Sequence, residues 1–597
     1  MNMARETINR LRAAMKEKGV DAYLVPTADF HDSEYAGEYF RTRAYLSGFT
    51  GSAGTLLVMG GEAGLWTDGR YFVQAGRQLD GSGIDLYKSG QPGVPTIFQF
   101  LEDKMPDNGK LGVDGRTISR AYLQQLEKAV KDHKAEICTD LDLGGDIWEN
   151  RPAMSCQPAV PLDEVLYAGE TVQEKLERVR TAMKKKRATV HLITSLDDIA
   201  WLFNIRGGDI PCNPVALAYA AVTRDKAILF IQEAAVLPET RAFLEERGVE
   251  IRPYNDIYAY AAQIEEGNVV LVEKNRINSR LYACISEDVK VVDGMNPETM
   301  LKAVKNETEQ ANIRKAHVKD AVAMVHFIYW LKKNVGSIPM TEMSAAAYLD
   351  ARRAEQEGFT DLSFDTIAGY QENGAIVHYK ATPETDAPLR PEGLFLVDSG
   401  GQYLEGTTDI TRTIALGPVT DEQKFHYTLV LKGAIRLASA TFMEGCTGWN
   451  LDMMARGPLW EHQLDYNHGT GHGVGYYLNV HEGPNRIHWD GRRPSAIFKP
   501  GMLTSDEPGL YLEGKYGIRT ENLIQCLPAG QKEYGNFLRF DTVTVVPIDK
   551  TPIDKTLMTE DEISWLNAYH KRVYETVSPC LTDPEEKAWL AEACEAI

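Results

Sequence analysis

A chain of 597 residues exceeds what one hydrophobic core supports, so about two to four domains are expected. Hydrophobic residues at 43%, charged residues at 25% and the lack of any low-complexity tract exclude intrinsic disorder. With 64 lysines and arginines against 85 acidic residues the net charge is −21, which argues against nucleic acid as a partner.

The N-terminus, MNMARETINRLRAAMKEKGVDAYLV, carries charges throughout and has no apolar core of a leader peptide. Ile8, Leu11, Met15 and Val20 recur at near-helical spacing and DAYLV follows as a short apolar strand, which opens an α/β unit. TLLVM, Thr55 to Met59, and EAGLWTDGRYFVQA continue it with strands and a helix. Residues 144–163, GGDIWENRPAMSCQPAVPLD, are too broken by glycine and proline for a regular element and place a boundary there, with a first domain over 1–155. Beyond it the opening pattern returns: KEKGVDAYLVPT followed by YLSGFTG has a counterpart in KKKRATVHLITS followed by WLFNIRG. This short repeat predicts two related domains, the second over 156–306.

Pro297 stands at a first helical position before the helix-forming ETMLKAVKNETEQANIRKAHVKDAVAMVHFIYWLKK, and a third region over 307–597 carries everything chemically informative. Within it LFLVDSGGQYLEGTTDITRTIAL, 394–416, reads as two strands joined by a glycine-containing turn, and LIQCL and FDTVTVVPI as later strands. TEDEISWLNAYHKRVYETVSP reads as a terminal helix in an extension that starts at about 553. No apolar run approaches the ~20 residues of a membrane span. The eight cysteines are scattered without a C-x-x-C pair and read as free thiols, so a cytoplasmic protein with no membrane partner is expected.

HGTGHGVGYYLNVHEGP, 468–484, gathers three of the 13 histidines among five glycines. Each interior glycine costs a helix about 1 kcal/mol against alanine, so His468 and His472 are expected on extended or irregular backbone. A solvated polar loop is the plain alternative. Asp398 ends the apolar run LFLV and Asp409 follows after the turn; each alone fits an Asx-turn or a salt bridge. Glu507 in SDEPGLY and Glu521 in GIRTENLI have similar surroundings, and Glu521 heads an apolar strand where Arg519 is an alternative partner. Four carboxylates and one imidazole in one cavity would need about two divalent cations for balance, a set suited to Mn²⁺, Co²⁺ or Fe²⁺ and to metal-assisted hydrolysis. Spacing does not single these five out of 85 acidic residues.

That selection comes from a resemblance. SFDTIAGYQENGAIVHY, VDSGGQYLEGTTDITRT, LDYNHGTGHGVGYYLNVHEGP, DEPGLY and GIRTENL resemble, in order, the motifs of the pita-bread metallopeptidases, and most closely the long, three-domain Xaa-Pro aminopeptidase (aminopeptidase P) family. The resemblance spans essentially the whole chain and implies an α/β (α+β) fold: a C-terminal pita-bread catalytic domain after two creatinase-like α/β domains. It implies a dinuclear site in which Asp398 binds one metal, Asp409 and Glu521 bridge both, and His472 and Glu507 complete the other. Mn²⁺ is the implied ion, with Co²⁺, Fe²⁺ or Zn²⁺ as alternatives. Glu507 would also shuttle the proton, His481 would hold the scissile carbonyl with help from His378, and His468 would line the proline pocket. Arg519, grouped with His468 around the substrate, would orient a metal-bound carboxylate. Peptides with proline in second position are the implied substrates, and a homodimer the implied assembly. The family often has asparagine before the ligand glutamate; here Asp506 stands there and adds a potential charge beside the site. Competing readings are a prolidase restricted to dipeptides, a methionine aminopeptidase, a metal-free creatinase-like hydrolase, and a non-catalytic peptide-binding module.

Overall fold

The computed structural model describes residues 3–597, which fall into two compact units. One runs to Glu164 and through Glu170–Glu298; the other comprises Val165–Gly169 and Thr299–Ile597.

The first unit holds two six-stranded sheets. In the first, the order is Asp85–Lys88, Ala63–Thr67, Thr55–Met59, Ala22–Pro26, Lys110–Val113, Glu136–Cys138. Side chains alternate along its central strand: Tyr23 and Val25 join a core with Ile8, Leu11 and Met15 of the helix Met3–Lys18, and Ala22 and Leu24 join a second core with Leu101, Leu111 and Leu126. Both faces are therefore covered, which is why the strands read as continuous apolar runs. In the second sheet the order is Val249–Pro253, Ala227–Ile231, Ala218–Thr223, Val190–Ile193, Val269–Val272, Lys290–Asp293. Parallel and antiparallel pairings follow the same succession in both sheets. The short sequence repeat thus reflects two copies of one topology.

In the second unit the helix Glu307–Asn334 packs against a three-stranded antiparallel sheet of Ile367–Tyr370, Leu394–Ser399 and Ile410–Ala415. A four-stranded sheet runs Thr441–Met443, Gly535–Thr542, Asn522–Lys532, Leu503–Asp506, and Gly509–Leu512 pairs with Tyr516–Arg519 as a hairpin. Three expectations change in detail. The helix begun at Pro297 stops at Ala303, and Asn306 restarts it with a capping box to Glu309, because the intervening Lys305 is drawn into the interior. The two strands of 394–416 do pair, Asp398 opposite Thr411, but Gly401–Tyr403 and Gly406–Thr407 form a separate ladder between them. FDTVTVVPI is strand only to Thr542. Val543 N–H still donates to the Leu523 carbonyl, and beyond it side chains hold the buried backbone: Arg412 donates to Val546 and Pro547 carbonyls, and His570 Nε2 accepts from Ile548 N–H. Burial lowers the His570 pKa to about 4 and keeps that acceptor neutral. The chain ends on two helices, Glu560–Val577 and Pro584–Ala593. Among the described residues no helix is long and apolar enough to cross a membrane, and all eight cysteines are free thiols.

Candidate metal centre

Five separate strand ends gather in one region of the second unit. Asp398 is the fifth residue of Leu394–Ser399, Asp409 directly precedes Ile410–Ala415, Glu507 directly follows Leu503–Asp506, and Glu521 directly precedes Asn522–Lys532. His472 lies on the two-residue ladder Gly471–His472 with Arg486–Ile487. Glycine is required beside it because a Cβ on Gly471 would sit 2.0 Å from the Ser505 carbonyl oxygen, and one on Gly473 2.1 Å from that of Glu482.

Asp409, His472 and Glu521 each offer a ligand atom within 4.8 Å of the others. His472 Nε2 stands 3.4 Å from Asp409 Oδ2 and 3.4 Å from Glu507 Oε1. Its Nδ1–H donates to the Gly473 carbonyl at 3.0 Å, which fixes the tautomer and leaves Nε2 for a cation. Thr411 Oγ1 donates to Glu521 Oε2 at 2.7 Å and accepts from Arg519 Nε at 3.0 Å. Arg519 donates onward to Asp398 Oδ2 at 2.5 Å and to the Tyr511 hydroxyl at 2.6 Å. The guanidinium is enclosed at 1% exposure and braces Asp398 through that bond. Glu521 is not paired with Arg519 as a strand neighbour, since Tyr516–Arg519 and Asn522–Lys532 belong to different sheets.

The electrostatics call for cations. Burial raises the pKa of Asp398 to about 6 against the opposing pull of Arg519, with Asp409 and Glu507 adding repulsion. Burial and the neighbouring carboxylates raise Glu507 and carry Glu521 well above the ordinary range. For His472 burial acts downward, but the hydrogen bond to Asp409 and the charge of Glu507 outweigh it and bring the imidazole to about 9. Asp398 Oδ1 and Glu521 Oε1 are buried with no hydrogen-bond partner among the described residues. Four carboxylates with two orphaned oxygens and one oriented imidazole form a hard-to-borderline donor set, and divalent ions fit it.

Of the other expected residues, His481 stacks edge-on against His472 with ring centroids 4.3 Å apart. His468 Nε2 shares a hydrogen bond with the Tyr511 hydroxyl at 2.8 Å, and its Nδ1 lies 3.9 Å from Glu507 Oε2. His378 is half-buried on a turn beyond the short helix Gln371–Ala375, next to Tyr379, whose hydroxyl is bonded to Glu342. Asp506 is fully buried, and burial together with Glu507 raises its pKa well above the carboxylate range, so it favours the neutral acid. Thr411, Tyr511 and Ser505, which donates to Glu507 Oε1 at 3.1 Å, were not singled out from the sequence. A signal existed for two of them: Thr411 lies two residues from Asp409 and Ser505 two from Glu507, the spacing that puts extended side chains on one face.

Residues 7–148 and 150–309 each match the Creatinase/Prolidase N-terminal domain, 311–527 match metallopeptidase family M24, and 536–597 match the C-terminal region of peptidase M24. With the site described above, these define a metallopeptidase of the M24 class built on creatinase-type N-terminal domains. Aminopeptidase P2 of Arabidopsis thaliana is 38% identical over 98% of this chain and 87% of its own length. Xaa-Pro aminopeptidase 1 of Dictyostelium discoideum is 37% identical over 96% of this chain and 93% of its own. The crystal structure of X-prolyl aminopeptidase from Caenorhabditis elegans, described as a cytosolic enzyme with a dinuclear active site, superposes over 100% of both chains with a TM-score of 0.95 and 36% identity. The chain belongs to the Xaa-Pro aminopeptidase (aminopeptidase P) family of M24 metallopeptidases.

Proposed function

We propose that this protein is a metal-dependent aminopeptidase that hydrolyses the bond between an N-terminal residue and a following proline. The observation that carries the reading is the convergence of Asp398, Asp409, His472, Glu507 and Glu521 with two orphaned carboxylate oxygens. In this reading Asp398, Asp409, His472, Glu507 and Glu521 would hold the two ions, with Mn²⁺ as the working metal. Bound there, the pair of ions supplies Lewis acidity and lowers the pKa of an attacking water. Glu507, whose carboxyl burial holds above its ordinary pKa, would take the proton from that water and deliver it to the departing proline nitrogen. His481 donates to the scissile carbonyl oxygen as negative charge develops, with His378 assisting. His468, held by Tyr511, forms a wall of the proline pocket.

The three-part division at 1–155, 156–306 and 307–597 goes with this reading, as does a cytosolic location suited to eight free thiols. A homodimer is supported by the exposed Trp449, Met453 and Trp460, which share one side of the helix Gly448–Trp460, an apolar face of the kind a partner covers. Sedimentation would report it. The function itself is tested on Arg-Pro-Pro and on an Xaa-Pro dipeptide after chelation and readdition of Mn²⁺. Release of arginine from the tripeptide, lost on chelation and restored by the metal, is expected. Cleavage of the dipeptide alone would make the protein a prolidase, and purified protein without stoichiometric transition metal would make it a binding module.

A further inference from the structure

Lys305 is a lysine that folding removes entirely from water. It occupies the break between the helices Pro297–Ala303 and Glu307–Asn334, and its Nζ pairs with Glu482 Oε1 at 2.5 Å. The two side chains are 1% and 2% exposed. Nζ also donates to the Lys302 carbonyl at 2.9 Å. The lysine's backbone is pinned in turn: its N–H donates to the Gly501 carbonyl at 3.1 Å, and its carbonyl accepts from Gln310 Nε2 at 2.6 Å. Glu482, 177 positions away, is the residue after His481. Its N–H donates to the Gly473 carbonyl at 2.8 Å, the carbonyl beside His472, and its Oε2 finds no hydrogen-bond partner among the described residues.

A buried ion pair is a poor stabiliser, since the desolvation of both charges consumes most of the attraction and an apolar pair of the same volume serves stability as well. What it does supply is a fixed direction between two backbone segments. Here one segment is a pinned helix break and the other carries His481, whose ring must keep its edge-on contact with His472. We propose that Lys305 and Glu482 are positioning residues for the peptidase reaction: their ion pair fixes the His481 loop so that the imidazole meets the scissile carbonyl. This rests on the reading of His481 as the group that holds that carbonyl.

The test is a double-mutant cycle on Mn²⁺-loaded enzyme with Arg-Pro-Pro, using Lys305→Met, His481→Ala and the double variant, with Lys305→Arg and Glu482→Gln alongside. Lys305→Met is expected to lower kcat by about 10- to 100-fold, as loss of an orienting partner does, while KM and metal content stay within about threefold of wild type. Lys305→Arg, which keeps the charge, should recover most of the rate. The double variant should be no slower than His481→Ala, because Lys305 acts only through that ring. Multiplied losses in the double variant, an unchanged kcat in Lys305→Met, or an Arg variant as slow as the Met variant overturns the proposal. Should Lys305→Met fail to fold, Glu482→Gln takes its place in the cycle, with the same outcomes deciding. The two failures are distinguishable: His481→Ala at wild-type rate removes the role of His481 and the proposal with it, whereas a slow His481→Ala beside an unaffected Lys305→Met removes the proposal alone.

Discussion

Asp320 and Asp398 are both enclosed carboxylates of the second unit, and for both the largest influence on the pKa is burial, which pushes it up. They end on opposite sides of the ordinary value. Asp320 accepts two hydrogen bonds from Arg353, at 2.8 and 3.1 Å, and a third from the Tyr403 hydroxyl at 3.0 Å, and its pKa falls below that of a free carboxylate. Asp398 has Arg519, but it also has Asp409, Glu507 and Glu521 for neighbours, and its pKa rises to about 6. Burial is common to both sites; the balance of counter-charge is not. The Asp320 cluster is electrically closed and serves the fold, whereas the Asp398 cluster lacks positive charge that only a ligand can provide.

The sharpest way to break this contrast is to remove a ligand. Asp409→Ala should lose bound metal and reduce Arg-Pro-Pro hydrolysis by more than the ~10²- to 10³-fold that follows removal of a single oxyanion donor, since the water-activating ions leave with it. Metal analysis and steady-state rates together check this; full activity with unchanged metal content would refute the assignment of the centre. The closed cluster should answer differently. Arg353→Met strands the Asp320 charge in the interior and is expected to cost about 3–5 kcal/mol of stability in denaturant unfolding. The kcat of the folded fraction should remain at the wild-type value. A large fall in kcat at unchanged stability would mean that the Asp320 cluster belongs to the catalytic machinery after all.

The candidate ligand residues were legible through the family motifs that carry them; the local pattern, Asp398 after LFLV, Glu521 before NLIQCL and His472 among glycines that a close backbone approach demands, did not by itself single them out of 85 acidic residues. The paired sheets of the first unit were legible for a local reason, through KEKGVDAYLVPT and KKKRATVHLITS. What escaped is what depends on distant partners. Thr411 reaches Glu521 across 110 positions and Lys305 reaches Glu482 across 177, and neither lysine nor threonine announces its partner locally. The segment after Thr542 reads as a strand because its side chains are apolar and β-branched, but its backbone groups at Val546 and Ile548 are satisfied by Arg412, Tyr569 and His570.

A smaller effect concerns pH. With the ions chelated, Asp398 has a folded pKa of about 6, above the ~3.9 of an unfolded aspartate. Its contribution is fully present below the unfolded value and is lost as pH rises through the folded one. His472, raised to about 9, behaves alike: its contribution is complete below the unfolded ~6.5 and is lost as pH climbs through 9. Asp320, with a lowered pKa, stabilises throughout this range and is lost only in acid. Chelated protein should therefore lose stability from the metal centre between pH 5 and 9. Over the same interval the stabilisation by added Mn²⁺ should grow, because binding displaces those protons. Melting temperatures with and without Mn²⁺ at pH 5, 7 and 9 decide it; a metal increment that shrinks with pH contradicts the assignment.

The smallest expected effect is at Asp506, where a family that often carries asparagine here has an acid. Were this acid ionised, it would add a fifth negative charge to the centre, tighten metal binding and move the pH optimum. Burial and the adjacent Glu507 instead favour its neutral form, and a protonated aspartic acid has the shape and charge of asparagine. Asp506→Asn should accordingly leave Mn²⁺ affinity and the pH profile of kcat/KM within about threefold of wild type, less than the ~10-fold that a one-unit shift in a ligand's pKa represents. A tenfold loss of metal affinity in Asp506→Asn would show that the charge is present, and the deficit of positive charge that distinguishes the Asp398 cluster from the Asp320 cluster would then be larger by one.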